Sequence, residues 1–158
     1  MKASRQSGFT LIELVVVITI LGILAAFAVP RFISLEVAAR KATVNGLAGS
    51  VKSAAALARG LAMANQTAAT GTISMEGTNN VTLLNYYPDA TTIAAAVNSN
   101  NGTVTGVNDF TFTAGTGSTT AATWTLNSAT TPASCAVSYL AATSTTTAPV
   151  ITTTTSGC

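Results

Sequence analysis

The chain has 158 residues, with seven basic and five acidic side chains, no histidine and 48% hydrophobic residues. That length leaves room for one domain beside an anchor, the small charge excess gives no general pull toward nucleic acid, and the missing imidazole removes the commonest general base and metal ligand. The five acids are scattered and Gly115-Thr116-Gly117 has neither the preceding strand nor the lysine of a phosphate loop, so no catalytic residue, metal site or cofactor is expected. Asp89, Asp109 and neighbouring asparagines offer oxygens suited to calcium, but such loops read more simply as solvated turns.

The first element is set by Ser7-Gly8-Phe9-Thr10-Leu11-Ile12-Glu13, which opens an apolar run over residues 11–29 broken only by Glu13, Thr19 and Gly22. Roughly 20 helical residues cross a bilayer core of about 30 Å, so the run is long enough to span. A carboxylate inside it costs about 2.5–3.5 kcal/mol on insertion scales. Two readings follow: Glu13 snorkels from the end of an ordinary anchor, or it awaits a positive partner from another copy of the chain. Lys2 and Arg5, with no acid beside them, place the N-terminus in the cytoplasm. Ala25-Ala26-Phe27-Ala28 imitates a signal-peptidase site, yet Pro30-Arg31 follows and a helical pattern continues. The polar-to-apolar junction lies at Gly8-Phe9. A cut there removes both bases and leaves a free amine four residues before Glu13.

Gly8-Phe9-Thr10-Leu11-Ile12-Glu13, the apolar run and Pro30 closely resemble the N-terminus of type IV pilins, and the eight-residue leader followed by Phe9 is similar to the type IVa branch. The resemblance implies that residues 1–8 form a leader removed by a prepilin peptidase, which also N-methylates Phe9. It implies that Glu13 then pairs with the methylated Phe9 amine of a neighbouring subunit during assembly. It further implies loss of helix between Gly22 and Pro30 in the assembled filament.

Taken from the residues, Val29-Pro30 reads as a kink or break, since proline lacks the helical N–H and restricts its predecessor. Gly22 is a second weak point, about 1 kcal/mol worse than alanine. Beyond Pro30, Phe32, Leu35, Ala39, Ala42, Leu47, Val51, Ala54, Leu57 and Leu61 recur mostly at spacings of three and four, the inward face of an amphipathic helix. The pattern fades at Asn65-Gln66-Thr67, which predicts one long helix, hydrophobic over residues 9–30 and amphipathic over residues 31–66. Its length is far above the globular average, so half of it has to pack outside its own domain.

Residues 67–107 read as a connecting region punctuated by Gly71, Gly77, Asn79-Asn80 and residues 98–102. Within it, Val81-Thr82-Leu83-Leu84 forms a candidate strand, and residues 89–97 a short helix capped by Asp89 or Thr92. Tyr86-Tyr87-Pro88 reads as packing on the long helix, with a binding patch as the alternative.

From residue 108 onward the period is two: Phe110-Thr111-Phe112-Thr113, Thr123-Trp124-Thr125-Leu126, Ala136-Val137-Ser138-Tyr139-Leu140 and Val150-Ile151-Thr152-Thr153. The expected fold is therefore α+β, a long N-terminal helix on a four-stranded antiparallel sheet over residues 108–158, burying Phe110, Phe112, Trp124, Leu126, Val137 and Tyr139. Its Thr-rich outer faces suit solvent, and O-linked sugar is the alternative. Two cysteines in an exported protein permit one intramolecular pairing, Cys135 with Cys158, against free thiols. In the pilins that this chain resembles, a similar C-terminal disulfide bounds a variable surface loop, here residues 136–157.

After a cut at Gly8 the side-chain charges balance five against five, all bases lie at or before Arg59, and the final 49 residues are uncharged. Such a surface suits packing against copies of itself. The expected function is a major subunit of a type IV pilus for adhesion, surface attachment or motility. It would sit in the inner membrane before assembly and in an extracellular filament afterwards. Implied partners are the chain itself, the prepilin peptidase and N-methyltransferase, and the pilus platform, ATPases and secretin. Nucleic acid is not expected. The alternatives are a type II secretion pseudopilin or minor pilin, and a membrane-anchored binding domain that never polymerises, which Glu13 disfavours. Pro30-Arg31-Phe32 and residues 77–97 look similar to mannose-sensitive haemagglutinin-type pilins.

Overall fold

Leucine, alanine and other good helix formers dominate the first 64 residues, and they form one helix, α1 (Leu11–Ala64), in a computed structural model that describes residues 8–75, 79–97 and 109–158. The leader residues 1–7 with Lys2 and Arg5, Gly77, and the punctuation at 98–102 lie outside the described residues. The helix runs through Pro30, where a break is a possible reading of the sequence. A proline removes one ladder hydrogen bond, but in an apolar setting the neighbouring backbone groups have no water to turn to and stay in the helix. Thr19 Oγ1 donates to the Val16 carbonyl at 2.8 Å, so the hydroxyl in the apolar run is satisfied within the helix.

At its other end α1 closes with the Thr67 amide donating to the Ala62 carbonyl at 2.8 Å and the Gln66 amide to that of Met63 at 3.2 Å. Gln66 has φ +51°, so this is the two-bond left-handed cap, with glutamine where glycine is commonest.

The chain falls into two units, residues 1–38 and residues 39–158, and α1 contributes to both. The first unit is the apolar half of the helix. It contains an 18-residue window of mean hydropathy 2.8, none of it buried, long and apolar enough to cross a membrane. In the second unit, β1 (Thr72–Met75), β2 (Asn79–Leu84) and β3 (Tyr87–Pro88) form an antiparallel three-stranded sheet. A short helix, α2 (Ile93–Val97), follows. Then β4 (Phe110–Thr113), β5 (Ala122–Leu126), β6 (Ala136–Leu140) and β7 (Val150–Thr154) form a four-stranded antiparallel sheet in chain order.

The four-stranded sheet matches the expected α+β arrangement closely. Phe110 pairs with Leu126, Phe112 with Trp124, and Trp124 with Val137, which puts their side chains on one face. Phe110, Trp124, Leu126, Val137 and Tyr139 are buried with Val44, Leu47, Val51 and Ala55 of α1, while Phe112 is half-buried with its ring 4.9 Å from that of Trp124. The three-stranded sheet is additional to the sequence expectation. Its β2–β3 turn uses Asn85 (φ +57°) and Tyr86 (φ +69°), both in the left-handed region that a two-residue hairpin requires. Asn85 Nδ2 donates to the Ala142 carbonyl at 2.8 Å and the Tyr86 amide to that of Ala69 at 3.0 Å. Tertiary bonds thus hold a conformation that the Asn-Tyr pair does not advertise.

The inward face of α1 differs in phase from the expected stripe. Leu47, Val51 and Ala54 are buried as read, joined by Val44, Ala55, Ala58 and Ala62, whereas Phe32, Leu35, Ala39, Ala42 and Leu57 are exposed and Leu61 is half-buried. Ala58 and Ala62 meet Ile73, Met75, Val81 and Leu83 of the three-stranded sheet. Small residues let that sheet approach the helix closely, so size and not hydrophobicity chose the face.

Two smaller expectations change as well. Helix α2 begins at Ile93, and neither Asp89 nor Thr92 caps it with its side chain. The Thr92 hydroxyl exchanges hydrogen bonds with the Thr82 backbone at 3.1 Å each, and Asp89 Oδ2 accepts from Thr91 Oγ1 at 2.9 Å. Tyr86-Tyr87-Pro88 packs as expected. Tyr87 is buried in β3, and the Arg59 guanidinium of α1 lies 4.8 Å from its ring centroid and donates to its hydroxyl.

Tyr139 joins the two layers: it is fully buried and donates from its hydroxyl to the Pro88 carbonyl at 2.7 Å. Burial above all, then the Asp89 charge and Tyr87, push its ionisation well above the ordinary tyrosine value of 10.0. The folded state therefore holds the phenolic proton more tightly than the unfolded state. This contribution is complete below pH about 10 and is lost as the pH rises above it. Tyr139→Phe should cost about 1–3 kcal/mol at neutral pH by stranding the Pro88 carbonyl. In urea titrations of detergent-solubilised protein it should also flatten the loss of stability above pH about 10.

Candidate functional site

Two places carry candidate functional residues, one at the head of α1 and one at the C-terminal end of the sheet. At the head, Gly8, Phe9 and Thr10 precede the first helical turn and are exposed, Phe9 at 89%. Nothing lies within 4 Å of where a Gly8 Cβ would sit, so the Gly8–Phe9 bond is open among the described residues. Glu13 is in the first turn. Its Oε2 accepts from the Thr10 amide at 2.8 Å and from Thr10 Oγ1 at 2.7 Å, and the Glu13 amide approaches the same hydroxyl oxygen at 3.3 Å. This is a capping box: Thr10 is the N-cap and Glu13 answers it three residues on. The negative carboxylate also sits at the positive end of the helix dipole.

The sequence reading gives Thr10 no role of its own, although the Thr-x-x-Glu spacing is the signal for one. Its consequence is chemical. Both Thr10 donors converge on one carboxylate oxygen, and Glu13 Oε1 has no hydrogen bond to a described residue. The carboxylate is thus fixed in direction while half of it stays available. Phe9, Ile12, Glu13, Val16 and Val17 line a shallow groove on the helix surface. Ile12, Leu14, Phe27 and Phe32 are each more than half exposed, part of an exposed apolar surface with no partner among the described residues of its own unit. Gly22 and Pro30 lie within this helical stretch, and Gly22 has open space around it.

At the other place, Cys135 and Cys158 form a disulfide with Cα atoms 4.9 Å apart. Both are buried in the same core cluster as Trp124 and Tyr139. The Arg40 guanidinium donates to the Cys158 carbonyl at 3.0 Å, tying the end of the sheet to α1. Gly157 donates to the Ser134 carbonyl at 2.9 Å, and its own carbonyl accepts from Thr131 at 3.0 Å. A Cβ at Gly157 would stand 2.6 Å from the Thr131 carbonyl oxygen, so only glycine fits there. The bracketed residues 136–157 are not one surface loop: they contain β6 and β7, and Val137 and Tyr139 are core residues. The loop proper is the Ser- and Thr-rich turn between those strands, where the hydroxyls of Thr143, Ser144 and Thr147 bond to one another.

Among the described residues no three His, Cys, Asp or Glu side chains gather as a metal site, and Asp89 and Asp109 belong to separate turns.

Residues 3–29 match the family model described as the prokaryotic N-terminal methylation motif. The chain is 56% identical over 54 residues to a type IV narrow pilus major component, PilA5, of Thermus thermophilus, covering 34% of this chain and 47% of that protein. It is 48% identical over 56 residues to type II secretion system core protein G of Pseudomonas aeruginosa, covering 35% and 37%. It is 66% identical over 29 residues to the type IV major fimbrial protein FimA of Dichelobacter nodosus, 18% of each. The chain thus spans about half or less of the length of these curated relatives. No solved structure matches it. The head of the exposed apolar helix and its capped glutamate lie within the residues that match the N-terminal methylation motif. The long helix and the antiparallel sheet give the α+β arrangement expected from the resemblance, and the pilus and fimbrial relatives, similar over part of their length, support a likeness to type IV pilins.

Closing a loop of this length stabilises by about 3 kcal/mol on the chain-entropy relation. Cys135→Ser, Cys158→Ser and the double variant should each lose about that amount in urea unfolding of the detergent-solubilised chain. The double variant should be no worse than the singles, because either one already opens the loop.

Proposed function

We propose that the chain is a subunit, of the major kind, that polymerises into a type IV pilus and serves adhesion, attachment or motility. The observation that carries this reading is the exposed, membrane-length apolar helix, none of its apolar window buried, with Glu13 capped but half free at its head. In a bilayer the exposed side chains of this helix face lipid. In a filament they face the same helix of other copies, and the same surface is buried twice over the life of one subunit.

Processing supplies what the carboxylate lacks. A prepilin peptidase cuts after Gly8 and methylates the new Phe9 amine, and removing residues 1–8 discards Lys2 and Arg5 together. The amine remains positive after methylation. Set against Glu13 of a neighbouring copy in a dry helical core, it makes a charge-assisted contact. The pair cancels two charges that would each be costly alone, which favours copies at matching depth over misaligned ones. The helix between Gly22 and Pro30 is where the assembled filament would give way, since glycine and a missing N–H weaken both of its ends.

In this reading residues 1–8 are the leader, 9–30 the anchor and filament core, and 31–66 the helix half that carries the globular part. Residues 67–107 and 108–158 then form the filament's outer layer. The subunit waits in the inner membrane and ends in an extracellular filament, with the platform, ATPases and secretin of the pilus apparatus as its partners. No catalytic activity is assigned to it.

The identity to the type II secretion core protein over 56 residues favours one second reading, a pseudopilin with the same head. The Cys135–Cys158 disulfide and the pilus and fimbrial relatives favour the pilus subunit.

Stranding one member of a buried ion pair costs about 3–5 kcal/mol, which is more than a hundredfold in an association constant. Glu13→Ala should therefore enter the membrane normally and yield few or no surface filaments when it is the sole copy, measured as the sheared fraction against the membrane fraction. Undiminished filaments from that variant would remove the core-pairing mechanism.

A further inference from the structure

The second unit carries a cleft of about 300 Å³ that the proposed core pairing leaves unused. Its near wall is α1 at Lys52, Ala55 and Ala56, its inner end is Tyr87, and its far wall is Ala148, Pro149 and Ile151 at the entry to β7. Small residues on the helix open the space, and apolar side chains line most of it. Two polar groups converge there. The Tyr87 hydroxyl is held by Arg59, whose guanidinium lies over the Tyr87 ring. The Lys52 ammonium makes no hydrogen bond or ion pair with a described residue. Among the described residues no acidic side chain lines the cleft. It is a positive, partly apolar recess with an unanswered lysine at its mouth.

Among the described acids of the same unit, Asp89 and Asp109, one is a matching group. Asp89 is half-buried and engaged by Thr91. Asp109 is exposed, at the start of β4, and its carboxylate has no partner among the described residues. Its main chain is fixed nonetheless, since its carbonyl accepts from the Asn127 amide at 2.7 Å. Among the described residues, the structure thus presents an unpaired carboxylate on a braced turn and, elsewhere on the same unit, an unpaired ammonium in a recess.

We infer that the Lys52–Tyr87 cleft of one copy receives the Asp109 carboxylate of a neighbouring copy, an interaction that rests on the filament reading above. Two different, complementary patches on one chain give a head-to-tail contact, the kind that propagates into an open helical polymer. Charge balance points the same way. The processed chain has five bases and five acids, so a polymer of identical copies can pair its charges without help from outside. Exposed ion pairs are individually weak and act mainly on register and partner choice. The contact therefore sets how the outer layers of adjacent subunits mesh, while Glu13 and Phe9 drive insertion into the core.

The test is charge reversal in the full chain, expressed as the sole copy. Lys52→Asp and Asp109→Lys each place like charges together and should lower the sheared filament yield about threefold or more. The double reversal restores attraction and should recover the yield to within about twofold of the parent. Both side chains are exposed, and an unchanged urea midpoint in detergent confirms that each variant still folds. As a second measurement, zero-length carbodiimide coupling of parent filaments should give denaturant-resistant multimers joined through Lys52 and Asp109 peptides. Full yield from both single variants overturns the contact. So does a double variant that stays as poor as the singles, and so does loss confined to Lys52→Asp, which would assign the cleft to a small anion or another partner. Filaments indifferent to charge at these two positions leave the pilus reading intact, whereas a parent chain that never reaches the surface overturns both.

Discussion

An ionised carboxylate in a membrane-length apolar helix has few physical solutions, and much of this chain follows from them. The group must be hydrogen-bonded, paired or brought to water. The structure shows the first solution. Thr10 turns both its donors onto one oxygen of Glu13, which satisfies half the carboxylate and aims the rest. The cap is local, built from residues three apart, so it is available to an isolated subunit in the bilayer. The remaining demand calls for a positive group from outside the helix. Under the proposed cleavage after Gly8, the Phe9 amine would be the nearest such chemistry the chain itself can offer, one copy to the next.

The rest of the molecule suits a subunit whose helix is shared in this way. Half of α1 contributes nothing to the folded core of residues 39–158, which holds together through Trp124, Tyr139, Val44, Val51 and their neighbours. The disulfide and the Arg40 hydrogen bond to Cys158 tie the last strand region back to the helix, so the uncharged C-terminal part does not depend on salt bridges for its stability. The described charges lie on the helix and on two turns of the second unit. On the proposed reading, core pairing at the helix head and surface meshing at the Lys52 cleft would divide two tasks, the first insertion into the core and the second register.

The head of the molecule was legible because its chemistry is local. An apolar run, one glutamate and a glycine–phenylalanine junction lie within a few residues, and periodicity of two announced the four strands of the main sheet. What escaped the sequence depended on distant partners. The three-stranded sheet turns on Asn85 and Tyr86, whose left-handed backbone is held by Ala142 and Ala69 and not by a glycine. The phase of α1 slipped because Ala55, Ala58 and Ala62 carry the buried face, and alanine adds little to a hydrophobic pattern. Thr10 was visible within the motif, but its capping role is clear only when the Thr-x-x-Glu spacing is read as geometry.

The most direct measurement is the intact mass and N-terminal sequence of protein sheared from the cell surface. A chain that begins at Phe9, one methyl group heavier than the unmodified sequence and dominant in the sheared material, is what a processed pilus subunit with an amine partner for Glu13 requires. A surface protein that still begins at Met1, or a processed chain confined to the membrane fraction, would contradict that claim.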